Sequence, residues 1–66
     1  MNIQVNGTAH VVPQNSTLAV LLEQLRLAGK RVAVELNGEI VPRSTYSATP
    51  LHEDDCLEIM QAIGGG

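Results

Sequence analysis

Aromatic side chains are almost missing from this sequence. Tyr46 is the single aromatic among 66 residues, so any core must be built from Val, Leu and Ile. Cysteine is nearly absent too. Cys56 stands alone, which excludes an internal disulfide, and a small fold without disulfides fits a reducing compartment. Positive charge is scarce: four Lys and Arg face seven Asp and Glu, for a formal net charge of −3. That balance excludes the basic footprint of a nucleic-acid binder and suits a protein partner with a basic or mixed surface. No apolar run approaches the roughly 18 residues of a membrane span, and Met1-Asn2-Ile3-Gln4 carries no charged leader. The expected location is the cytoplasm, with no membrane partner.

What is present reads as one small folded domain. The chain is 44% hydrophobic and 17% charged, the balance of a globule and not of a disordered segment. A domain of this size buries only about 60% of the surface its unfolded chain exposes. It has no room for both a core and a deep catalytic cleft.

Ile3 and Val5 alternate with Asn2 and Gln4, the period of a half-buried strand. Asn6-Gly7 supplies the positive φ angles of a tight hairpin, Thr8 to Val12 returns, and Pro13 ends the ladder. Leu18, Leu21, Leu22 and Leu25 then fall on one helical face. Ser16 or Thr17 is the expected N-cap, and Gly29 the expected left-handed residue past the helix end, with Lys30 and Arg31 close to its negative pole. Val32, Val34 and Leu36 make a third strand, Asn37-Gly38 a second hairpin turn, and Glu39 to Val41 its return before Pro42. Arg43 to Pro50 reads as a loop with one helical turn near Tyr46. Glu53-Asp54-Asp55 reads as a solvated acidic turn, and Leu57 and Ile59 mark a last strand. The order β-β-α-β-β-β describes an α+β fold, a mixed sheet of four to five strands packed on one main helix. That is the plan of a β-grasp domain, in which the first and last strands lie side by side and parallel at the centre. The expected division is one domain over residues 1–66, with 61–66 as a flexible C-terminal tail.

Several side chains invite a chemical role that their surroundings do not support. The neighbours of Cys56 are acidic and give no reason for a reactive thiol. His10 and His52 are isolated, and no spacing of Cys, His and Asp resembles a zinc site. Neither Asn-Gly pair asks for more than turn chemistry. Met60 is placed to face away from the helix, where it would be either an ordinary exposed residue or part of a docking patch with Ala62 and Ile63. The closing run Gly64-Gly65-Gly66 has two readings. Chain ends fray, and glycine-rich ends are typical of linkers. Yet glycine lacks a Cβ, so such a run can also thread a channel too narrow for side chains and deliver a terminal carboxylate to another protein's active site. A carboxylate attacking the α-phosphate of ATP yields an acyl-adenylate, which a sulfur or nitrogen nucleophile can open with loss of AMP.

Three stretches carry a family resemblance: Thr17 to Leu22, Val34 to Arg43 and Ala62 to Gly66. Together they resemble the ThiS family of ubiquitin-like β-grasp proteins, the sulfur carriers of thiamine biosynthesis, over essentially the whole chain. The resemblance implies a protein co-substrate and not an enzyme, with no catalytic residue, no metal and no bound cofactor of its own. It implies that a ubiquitin-activating-type adenylyltransferase uses MgATP to adenylate the carboxylate of Gly66. Sulfur from a cysteine-desulfurase persulfide would make a thiocarboxylate, and thiazole synthase would consume it. Gly64 and Gly65 would thread the partner sites, Met60, Ala62 and Ile63 would dock, and the free carrier would be a monomer. The rivals are the molybdopterin-synthase small subunit or another thiocarboxylate carrier, a ubiquitin-like protein modifier, and a structural domain with an idle tail. Val20 departs from the pattern, standing where some relatives carry the Glu of a capping box, and Cys56 and His52 match no family feature.

Overall fold

The computed structural model describes residues 1–61. Strands β1 (Asn2–Val5) and β2 (Thr8–Val11) form the first hairpin. Helix α1 (Leu18–Gln24) follows, then β3 (Val32–Leu36) and β4 (Glu39–Ile40) as the second hairpin. A 3₁₀ helix (Arg43–Ala48) leads to β5 (Cys56–Gln61). The five strands form one sheet in the order β2-β1-β5-β3-β4. β1 and β5 run parallel, with Gln4 beside Cys56 and Val5 beside Leu57, and the other pairs are antiparallel. This is the expected β-grasp sheet, at the upper end of the four to five strands read from the sequence.

Alternation decides which face is covered. Ile3 and Val5 on β1, Val34 on β3, and Leu57 and Ile59 on β5 point to one side, where Leu18, Leu21 and Leu22 of α1 meet them. Leu18 and Leu21 have no exposed surface at all, and burial of a side chain of that size contributes about 1.5–3 kcal/mol. Val12 and Leu51 belong to the same core. No helix among the described residues is long and apolar enough to cross a membrane.

The helix is shorter than its leucine spacing suggests. Thr17 is the N-cap: its backbone is extended and its hydroxyl accepts from Val20 N at 3.3 Å. Ser16 is engaged elsewhere, its hydroxyl donating to Pro13 O at 2.6 Å. At the other end Leu25 is the C-cap, and Gly29 is not the left-handed residue that closes the helix. Arg26 takes that place with φ 62°, donating to Glu23 O at 3.0 Å, while Leu27 N donates to Leu22 O at 2.7 Å. Those two bonds satisfy carbonyls the helix leaves open and turn Leu27 back onto the core. Lys30 and Arg31 therefore lie beyond the helix terminus, with no basic residue in its last turn.

The acidic turn is also more than solvated surface. Asp55 is only 8% exposed; it accepts from His52 N at 2.7 Å and from Asn37 Nδ2 at 3.0 Å.

Candidate functional site

β5 is the strand that delivers the chain to its C-terminal residues, and it lies in the middle of the sheet. β1 flanks one side and β3 the other, so the route to the tail begins from the best-supported strand in the molecule. The pairing with β3 extends to Val32 beside Gln61. Gln61, expected to begin the tail, is thus the last residue of the strand.

Two asparagines hold β5, one at its first residue and one in its second half. Asn37, in the second hairpin turn, accepts from Cys56 N at 3.0 Å through Oδ1 and donates to Asp55 through Nδ2. Asn6, in the first, accepts from Ile59 N at 2.8 Å and donates to Ile59 O at 3.0 Å. Both residues have φ 51°, so each serves its turn through its backbone and the last strand through its side chain. In the sequence only the turn is visible. A signal for the second role is present all the same: Asn, unlike Asp or Gly, brings both a donor and an acceptor to a position where any of the three fits the backbone.

The sheet face opposite α1 has no cover among the described residues. Met60 is 58% exposed there, as expected, beside Ala33 on β3. Arg31, Val32 and Gln61 complete a shallow depression around it of about 250 Å³. Ile40 and Val11, further out on the same face, are also exposed. Glu35 and Glu58 stand directly opposite each other on β3 and β5, a like-charge pair that is unfavourable across strands. An apolar patch interrupted by two facing negative charges suits a partner that brings both apolar and basic groups.

The remaining candidates divide cleanly. Cys56 is exposed on the uncovered face, its sulfur near Gln4 Oε1 and Asp54 O. His10 lines a groove at the far end of β5, and His52 lies 3.9 Å from Asp55; no group of metal-ligating side chains forms among the described residues. Glu53 caps the first strand: its carboxylate accepts from Asn2 N and from Asn2 Nδ2, both at 3.0 Å. These bonds, the backbone one foremost, lower its pKa. Ala62, Ile63, Gly64, Gly65 and Gly66 lie outside the described residues.

A mixed five-stranded sheet wrapped on one helix, with its last strand central and parallel to its first, defines a ubiquitin-like β-grasp domain. The chain belongs to the ThiS family, whose model matches residues 2–66. It superposes on the crystal structure of the thiamine biosynthesis protein ThiS from Geobacter metallireducens with a TM-score of 0.84, at 36% identity and with both chains covered in full. The sulfur carrier protein ThiS of Bacillus subtilis is 34% identical over 65 residues, covering 97% of this chain and 98% of that protein. The thiazole synthase of Magnetococcus marinus is 46% identical over all 66 residues, and this chain spans only 20% of its length.

Proposed function

We propose that this chain is a sulfur carrier of thiamine biosynthesis, a protein co-substrate and not a catalyst. It has the family and the fold of the ThiS carriers. The observation that carries the reading is the family match itself, which runs through the glycines to residue 66. The position of β5 supports it, because its pairing with β3 runs on to Gln61 and gives the C-terminal residues a fixed base.

In this reading an adenylyltransferase binds MgATP, and the Gly66 carboxylate attacks the α-phosphate with loss of pyrophosphate. A persulfide sulfur drawn from a cysteine desulfurase then displaces AMP to give an acyl disulfide. A second thiol attacks the outer sulfur of that disulfide, leaving as a mixed disulfide and releasing the thiocarboxylate. Gly64 and Gly65 keep the thread slender enough to enter the partner's site. Thiazole synthase is the acceptor; the match of the whole chain to part of a protein of that name favours this partner over the molybdopterin route. Met60, with Ala62 and Ile63, forms the apolar part of the docking surface.

Intact mass is the decisive measurement. After incubation with the activating enzyme, MgATP and a sulfur donor, the chain is expected to exchange one oxygen for one sulfur. An unchanged mass, or a ladder of conjugates to other proteins, overturns the carrier reading. Thiazole auxotrophy on deletion of the gene separates thiamine from molybdenum cofactor.

A further inference from the structure

We propose that Asn6 is a positioning residue for the use of the C-terminal carboxylate: its side-chain amide replaces the backbone of β1 where β1 turns away, and so fixes the direction in which the chain leaves the sheet. The consequence rests on the carrier reading above; the geometry does not.

β1 pairs with β5 only at Gln4–Cys56 and Val5–Leu57. It then reverses through Asn6 and Gly7, at φ 51° and 80°. β5 runs on to Gln61, still paired on its other side with β3. Beyond Leu57, β5 would thus be held by one neighbour only. A ribbon of two strands twists more freely than a strand held on both sides. Asn6 meets this situation with three hydrogen bonds. Its own N–H donates to Leu57 O at 2.9 Å, the last backbone link from β1. Its side chain then bonds both polar groups of Ile59, at 2.8 and 3.0 Å.

A primary amide offers a carbonyl and an N–H side by side, as a peptide group does. Asn6 therefore continues the ladder by one more step without any strand. Alternation turns the N–H and C=O of Gln61 to the same side as those of Ile59, where the backbone of β1 has already ended. Asn6 is the last support on that side among the described residues. With it, the strand reaches Gln61 along one direction. Without it, the exit direction spreads, and a partner that must capture the carboxylate has to select one direction out of many. That ordering cost falls on binding and not on the chemical step.

Asn6→Gly separates the amide from the turn, because glycine adopts the positive φ freely. Asn6→Asp is the second variant; it keeps the acceptor for Ile59 N–H, loses the donor for Ile59 O, and stands in if the glycine variant does not fold. Two readouts are taken at a temperature where the variant is fully folded. Amide exchange at Ile59 is expected to accelerate about tenfold in Asn6→Gly, the scale of one net hydrogen bond. KM for the chain as substrate of the adenylating enzyme is expected to rise several-fold, with kcat unchanged. An unchanged Ile59 exchange rate shows that the clamp does not exist in solution, and an unchanged KM alongside faster exchange shows that it does not position the tail; either overturns the proposal. If the wild-type chain is not adenylated at all, the carrier reading fails and takes the consequence with it, while the exchange rates still decide whether the clamp is there.

Discussion

Arg26 is the residue whose backbone is least suited to its side chain. It holds φ 62° at the position after the helix C-cap, where the Cβ of an L-residue is crowded and glycine is the usual occupant. Arg26→Gly is expected to raise stability by about 0.5–1 kcal/mol, the relief at the left-handed position less the added freedom of the unfolded chain. Chemical denaturation midpoints measure it, and a lower midpoint would show that the Arg side chain contributes more than its backbone costs. Thr17→Ala removes the hydroxyl that meets Val20 N and is expected to cost about 1 kcal/mol by the same measurement. Glu53 adds a dependence on pH. Its folded pKa is lowered by the two bonds from Asn2, so the stability it contributes is fully present above the unfolded carboxyl pKa and is lost as pH falls through the folded one. The stability gap between wild type and Glu53→Gln, followed in a series of urea titrations, is expected to close on acidification. A gap that widens would contradict this assignment.

At the scale of the element, the alternations place β1, β3 and β5 and the leucine spacing places the helix, since a face that must be buried writes its period directly into the sequence. The two Asn-Gly pairs mark both hairpins. The helix end is not legible in the same way: Gly29 is left-handed as expected, at φ 77°, but the left-handed residue that closes the helix is Arg26, three positions earlier. Nor are the asparagine clamps legible as contacts. Asn6 and Ile59 are 53 positions apart, and nothing local says that a turn amide will meet a distant strand. In the sequence Asp55 is one acid of three, and only the approach of the second hairpin buries it. The helix supplies three of the buried core residues. Leu21→Ala deletes a fully buried side chain from its centre and is expected to cost about 2–5 kcal/mol. In so small a domain that is a large share of the total, so loss of the cooperative thermal transition near room temperature is the expected readout.

For the whole molecule, the core and the proposed chemistry occupy separate parts of the chain. Among the described residues, every member of the core cluster lies between Ile3 and Ile59. Removal of Gly66 is therefore expected to leave the circular dichroism spectrum and the melting midpoint unchanged while abolishing ATP-dependent adenylation. Loss of folding on that deletion would show that the end of the chain belongs to the core after all.

The parallel pairing of β1 with β5 has a further consequence, and it concerns time. Gln4 and Cys56 are 52 positions apart, yet they sit side by side at the centre of the sheet. A chain emerging from the ribosome has β1 and β3 long before it has the strand that must lie between them. Until β5 arrives, both hairpins show an unpaired edge and the leucine face of α1 has half a floor. Closing so long a loop is the entropic step that such a topology defers to the end. The strand that leads to the C-terminal residues is thus also the one whose synthesis releases the domain to fold, so a nascent chain that stops short of Cys56 has no stable structure to present.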